Sequence, residues 1–279
     1  MRIYMDDKKQ NNVDSTTNDT LNTVPSVSSE NILTARDVVK AYPLGSGETL
    51  TVLDHVNYDF PRGRLIMLMG RSGSGKTTFM NLLSTLDDVT SGDIYYNPGT
   101  DESLEGFDEA DENVYDSDRL SFESKGYDKR GILSYSQMSM QEKEKFRRYK
   151  VGFVFQSVAL IPVMTAYENI DFGLRTAGIK KNRDERIQEV LEKVGLADRA
   201  KHFPGELSGG ERQRIAIARA MAHKPSILFA DEPTGALDTT TGIYIAELFK
   251  KMTRTENLTV IMTTHDIRLS ELADVLIQL

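Results

Sequence analysis

Cysteine is absent from the 279 residues. That excludes disulfides, thiolate metal sites and a thiol nucleophile, and it fits a reducing compartment. Long apolar runs are absent too. No window approaches the ~18 residues of a membrane-spanning helix, and the longest apolar stretches, such as 65–69 and 227–230, have the length of buried strands. Positive charge is in short supply: 34 Lys and Arg stand against 42 Asp and Glu, for a net charge of -8. Nucleic acid is therefore not expected as the principal ligand. The first 30 residues are rich in Asn, Asp, Ser and Thr and lack an apolar centre, so they do not read as a secretory signal.

The negative charge is concentrated. Between Pro98 and Gly131 eleven acidic residues face four basic ones, so the rest of the chain is close to neutral. This stretch has no sustained apolar periodicity and reads as a solvated insertion (98–131), while 1–31 reads as a disordered tail. Residues 32–279 form one domain. Strands are predicted at 32–41, 50–60, 64–69, 92–96, 151–155, 227–230, 258–263 and 275–279. Helices are predicted at 76–86, 139–149, 165–177, 182–194, 208–223, 241–253 and 266–273. Ser139 with Glu142 and Thr165 with Glu168 have capping-box spacing. Strands alternating with helices imply an α/β core with a largely parallel sheet, and the stretch of about 165–201, nearly all helix, implies a helical subdomain spanning about 157–222.

The chemistry is carried by a few short patterns. Gly70-Arg71-Ser72-Gly73-Ser74-Gly75-Lys76-Thr77 follows an apolar strand and opens a helix, the context in which such a loop cradles phosphates. Lys76 neutralises phosphate charge there, and the Thr77 hydroxyl is a magnesium ligand. Asp231-Glu232 ends the apolar strand 227–230. Asp231 is placed to hold magnesium and Glu232 to polarise an attacking water. Gln156 ends the strand before it, where a glutamine can touch magnesium and water. His265 follows the strand 258–263, close to where a γ-phosphate lies.

Ser208-Gly209-Gly210 opens a second helix and offers a hydroxyl and N–H groups to phosphate. One chain cannot use both phosphate surfaces on a single nucleotide, so two copies facing each other across ATP are expected. Asp238 falls at that seam. Tyr42, after the first strand, is placed to stack on adenine.

Together these residues resemble the ATP-binding cassette (ABC) ATPases over roughly 32–279, apart from the acidic insertion. Tyr42 matches the aromatic A-loop, Gly70 to Thr77 the Walker A loop, Gln156 the Q-loop and Leu207 to Gln213 the signature. Asp231 and Glu232 match Walker B and the catalytic glutamate, Asp238 the D-loop and His265 the switch histidine. The stretch from Tyr42 to Glu48, Val154-Phe155-Gln156-Ser157, Leu160-Ile161-Pro162 and the run from Asp231 to Asp238 look most like the lipoprotein-releasing, macrolide-exporter and antimicrobial-peptide-resistance subgroup.

The resemblance implies a P-loop NTPase core, an antiparallel N-terminal β-subdomain and a helical subdomain carrying the signature. It implies ATP and Mg2+ as cofactors, with metal contacts from Thr77, Gln156 and Asp231. Nucleotide contacts fall to Tyr42, Gly70, Ser72, Gly73, Ser74, Gly75, Lys76, Thr77 and Thr78. From the second copy, Ser208, Gly209, Gly210, Gln213 and Asp238 are implied. Glu232, His265 and Gln156 are the catalytic set. The expected partners are a second copy and a polytopic membrane permease docking near Gln156 and 159–168, which places the chain in the cytoplasm on the inner face of the membrane. A soluble cassette protein acting on ribosomes or nucleic acid is the alternative. Such proteins carry two cassettes or a long coiled coil, and this chain has neither.

Overall fold

All five positions of β3 (Leu65–Met69) are apolar and buried, the pattern of a strand covered on both faces. It lies inside a five-stranded sheet with β6 (Val151–Val154), β7 (Ile227–Ala230), β8 (Thr259–Thr264) and β9 (Val275–Gln278), in the order β6-β7-β8-β3-β9. Every pairing in it is parallel. The structure, a computed structural model, describes residues 27–45, 47–97 and 131–279. Residues 1–26, Ser46 and residues 98–130 of the acidic insertion lie outside the described residues.

The two-residue side-chain period divides the interior. Leu65, Met67, Leu228, Ala230, Val260 and Met262 enter one core, shared with the helices that follow β6. Ile66, Leu68, Ile227, Phe229 and Ile261 enter a second, shared with the N-terminal strands and α1 (Lys76–Leu83). Truncating a side chain buried as fully as Phe229 costs about 3–5 kcal/mol.

The second sheet is antiparallel, ordered β2-β1-β4-β5, from β1 (Asn31–Pro43), β2 (Thr49–Pro61), β4 (Ser91–Tyr96) and β5 (Leu133–Ser134). The two-residue β5 has no counterpart in the sequence prediction. Its identity comes from pairing Tyr95 with Ser134 and Tyr96 with Leu133, which local pattern cannot encode. The segment predicted as a helix at 266–273 forms a six-residue 3-10 helix, Ile267–Leu272, rather than an α-helix.

Helices α2 (Met140–Lys150) and α3 (Ala166–Thr176) begin at the two capping boxes predicted for them. A third box, Ser208 with Glu211, starts α5 (Gly209–Met221), whose spacing was equally legible. Helix α4 (Arg183–Lys193) contributes Ile187, Val190 and Leu191 to the core it shares with α3 and α5. A Cβ on Gly173 of α3 would stand 2.8 Å from Arg219 Cγ and 3.2 Å from the Arg219 carbonyl oxygen, so α3 and α5 approach at a distance only glycine permits. Helix α6 (Thr239–Thr255) completes the described α-helices.

Candidate functional site

Four strands deliver the candidate residues to one edge. The glycine loop follows β3, Gln156 lies just past β6, Asp231 and Glu232 follow β7, and His265 follows β8. This is the carboxyl edge of a parallel sheet, where α/β proteins bind ligands.

In the glycine loop Gly73 (φ 82°) and Gly75 (φ 91°) adopt left-handed conformations that a side chain would resist. Gly75 is the N-cap of α1 and offers no side-chain cap, so the helix's first N–H groups remain available to an anion. A Cβ on Gly70 would fall 2.4 Å from Ser74 Oγ. The Ser74 hydroxyl is buried without a hydrogen-bond partner among the described residues. Lys76 is 6% exposed, and its Nζ donates to the carbonyl oxygens of Gly70 and Arg71, both at 3.0 Å. The ammonium is thereby held across the loop. Ser72 is exposed beside Gly73.

The Thr77 hydroxyl donates to Asp231 at 3.1 Å (Oδ2) and 3.3 Å (Oδ1). Glu232 has a left-handed backbone, φ 42°, which costs on the order of 1–2 kcal/mol in a residue with a Cβ. Its Oε1 lies 3.5 Å from His265 Nδ1. A Cβ on Gly235 would stand 3.2 Å from Gln156 Nε2 and 3.4 Å from Glu232 Oε2. Gln156, Glu232 and His265 therefore converge around one small volume. A cavity of about 130 Å³ beside them is lined by Glu232, Gly235, Asp238, His265 and Arg268, among others.

Tyr42 is half-exposed on the neighbouring sheet, with its hydroxyl donating to Asp87 Oδ2 at 2.9 Å. Desolvation, then the Asp87 hydrogen bond, raise the phenol above its ordinary range, with Thr78 beside it. Lys40 Nζ lies 4.8 Å from the Tyr42 ring centroid, a cation–π arrangement that leaves one ring face for another partner.

The signature turn stands apart from the glycine loop. The nearest neighbours of a Cβ on Gly209 and Gly210 are Leu237 and Thr241 Cγ2, at 3.6 and 2.6 Å. Ser208 is exposed and its Oγ accepts from the Glu211 N–H at 3.2 Å. Backbone and side-chain hydrogen bonds from Ser208 hold the Glu211 carboxyl at about 2. Asp238 caps α6, accepting from Thr241 N at 3.0 Å and Thr241 Oγ1 at 2.6 Å.

Gln213, expected to reach a partner's nucleotide, is 1% exposed in the single chain and faces inward with Ala216, Ile217 and Ala220. Those positions follow i, i+3, i+4 and i+7, so helical periodicity assigns Gln213 to the buried face.

Several residues that the sequence reading passed over hold this site together. Thr263 of β8 bonds to Asp231 and to the Glu232 backbone. Asn169 is fully buried and clamps the segment after Gln156, accepting from Ile161 N and donating to the Ile161, Met164 and Thr165 carbonyls. Arg219 of α5 donates to the Ala159 carbonyl at 2.6 Å. Arg268 bonds to both Asp266 oxygens and to Thr239 Oγ1, tying the strand end at His265 to the start of α6. A threonine in an apolar strand and an asparagine on an apolar helix face were the available signals.

The donor set fits MgATP. The glycine loop has free N–H groups and the unpartnered Ser74 hydroxyl to offer phosphate. Thr77 and Asp231 supply hard oxygens, and magnesium at phosphate sites takes one or two protein oxygens and completes its shell with phosphate and water. No group of three or more His, Cys, Asp or Glu side chains able to hold a metal by themselves occurs among the described residues.

Comparison with known proteins decides the family. The ABC transporter family model matches residues 53–235. The chain belongs to the ABC transporter family. It is 37% identical over 235 residues to an ABC transporter ATP-binding protein of Mycobacterium tuberculosis, covering 84% of this chain and 81% of the relative. It is also 37% identical to the lipoprotein-releasing system ATP-binding protein LolD of Myxococcus xanthus, covering 84% of this chain and 90% of LolD. The fold matches the dimeric structure of the ABC transporter cassette MJ0796, with a TM-score of 0.68, 34% identity and coverage of 88% of this chain and 94% of that one. A second MJ0796 dimer, in a post-hydrolysis state bound to ADP and Pi, matches at the same TM-score with 33% identity. This ABC cassette is thus similar in sequence to one of the transporter subgroups its motifs pointed to, and in fold to cassettes that dimerise.

Proposed function

We propose that this chain is the ATP-hydrolysing subunit of an ABC transporter and works as a homodimer on a separate membrane permease. The observation that carries the reading is the convergence of Lys76, the Thr77–Asp231 pair and the Gln156–Glu232–His265 group at one sheet edge. Gly70, Ser72, Gly73, Ser74, Gly75, Lys76 and Thr78 bind phosphates, Tyr42 packs on adenine, and Thr77, Asp231 and Gln156 hold magnesium. Bound MgATP supplies the scissile phosphoanhydride. Glu232 orients and polarises the attacking water, and His265 holds the far side of the reacting group.

Dimerisation completes the site. Ser208, Gly209 and Gly210 of one copy bring the N-terminus of α5 to the phosphates bound by the other, so negative charge lies between two positive helix ends. Asp238 sits at the seam beside that turn. A permease contact is supported by exposed Phe155 and Val163 near Gln156 and by exposed Phe172 on α3, apolar surface of the kind that marks a partner site. No helix of the described residues is long and apolar enough to cross a membrane. Membrane association is proposed to come through that partner, on the cytoplasmic face where ATP is available.

The test is purification of the tagged Glu232→Gln chain with ATP from membranes of its native host, followed by identification of what comes with it. A polytopic membrane protein is the expected partner. Ribosomal proteins or DNA in its place would overturn the transporter reading.

A further inference from the structure

The geometry points to Thr263 as the residue that presets Asp231 and Glu232 for magnesium and water, a positioning residue in the fully buried middle layer of the site. This inference rests on the reading of Asp231 as a magnesium ligand.

Thr263 lies on β8 next to β7, and it is 0% exposed. Its hydroxyl has two neighbours. The Glu232 backbone N–H donates to Thr263 Oγ1 at 2.8 Å, and Thr263 Oγ1 donates to Asp231 Oδ1 at 2.6 Å. The directions are forced. A backbone N–H can only donate, so the hydroxyl accepts from Glu232 and its own hydrogen goes to the carboxylate.

The consequences fall on both acidic residues. Pinning Oδ1 of Asp231 fixes the carboxylate plane and turns Oδ2 toward Thr77 Oγ1, 3.1 Å away. The two oxygens offered to the metal are then oriented in advance, rather than on binding. Anchoring the N–H of Glu232 holds its φ of 42°, a conformation that persists only where surrounding bonds over-determine it. That backbone sets the direction of the carboxylate near Gln156 and His265. One buried hydroxyl therefore couples the metal half of the site to the water half.

The experiment compares Thr263→Val, which keeps the branched shape and removes the hydroxyl, with Thr263→Ala and Thr263→Ser. Binding of the non-hydrolysable analogue adenylyl imidodiphosphate is measured with Mg2+ and with EDTA, alongside the Mg2+ dependence of ATPase rate. In Thr263→Val and Thr263→Ala the gain in affinity given by Mg2+ falls about 10–100-fold, the usual cost of losing an outer-shell partner, while binding in EDTA is unchanged. Thr263→Ser restores the Mg2+ response because it restores the hydroxyl. The ATPase needs more Mg2+ for half-maximal rate and also has a lower kcat at saturation, the second effect coming through Glu232.

The inference is overturned if whichever of the valine and alanine variants folds keeps the parent's Mg2+ response. It is overturned equally if binding in EDTA falls as far as binding in Mg2+, or if the serine variant fails with the others. Asp231→Asn is measured in parallel. If it too leaves the Mg2+ response intact, the metal reading itself has failed. If it abolishes the response while the Thr263 variants do not, only the positioning role falls.

Discussion

His265 Nδ1 lies 3.5 Å from Glu232 Oε1, with the histidine side chain 67% exposed and the glutamate 27% exposed. The pair joins the ends of two adjacent parallel strands. It gives the site an open side at the imidazole and a sheltered carboxylate behind it.

Glu232→Gln keeps the shape and removes the charge that polarises water. ATPase turnover is expected to fall by at least about 100-fold, the usual size of a general-base contribution. ATP is still bound, so size-exclusion chromatography with light scattering should show an ATP-dependent dimer that persists. Hydrolysis at the parent rate would remove Glu232 from the base role.

Lys76→Ala removes the loop's buried ammonium, which now bonds to the Gly70 and Arg71 carbonyls. Charged hydrogen bonds are worth about 1.5–3 kcal/mol, so ATP affinity should drop roughly 10- to 100-fold with little loss of thermal stability. Calorimetric titration and a melting curve separate the two effects. A protein that binds ATP as before would sink the assignment.

His223 links stability to pH. Desolvation pushes its imidazole down to about 4, although the Val151 carbonyl accepts from Nε2 at 3.1 Å. The folded value is below the ordinary histidine value near 6.5, so its contribution is complete above about pH 6.5 and is lost as pH falls toward 4. The loss is on the order of 1–3 kcal/mol at most. Melting temperatures of the parent and His223→Gln, compared at pH 7.5 and 5, should show the larger drop in the parent. Equal drops would reject the linkage. Glu211 and Asp266, both held at about 2 by their hydrogen bonds, respond only at lower pH.

The acidic insertion should be dispensable for basal turnover. The residues flanking it are already neighbours, since Tyr96 pairs with Leu133 across β4 and β5. Replacing 98–130 by a short Asn-Gly turn, which suits an antiparallel connection, should leave a folded protein with near-parent ATPase. A collapse of either would make the insertion structural.

Much of this molecule follows from local sequence. The apolar runs at Leu65–Met69 and Ile227–Ala230 could only be buried strands, and both are. Ser139 with Glu142 and Thr165 with Glu168 specify helix starts through bonds that span three residues. The glycine loop needs left-handed turns at Gly73 and Gly75, which its composition supplies. Each of these is written in a few consecutive side chains, where short-range sterics and hydrogen bonds decide the outcome.

The tertiary structure decided what depends on distant partners. Asp231 meets Thr77 across 154 residues of sequence and Thr263 across 32. β5 exists only because Tyr95 and Tyr96 offer it an edge. Gln213, five residues after exposed Ser208, is carried inward by the rotation of the helix. The sequence determined which chemical groups the protein has and which local elements hold them. Packing of the parallel sheet determined which of those groups meet, because strand neighbours are chosen by burial of both faces and not by order along the chain.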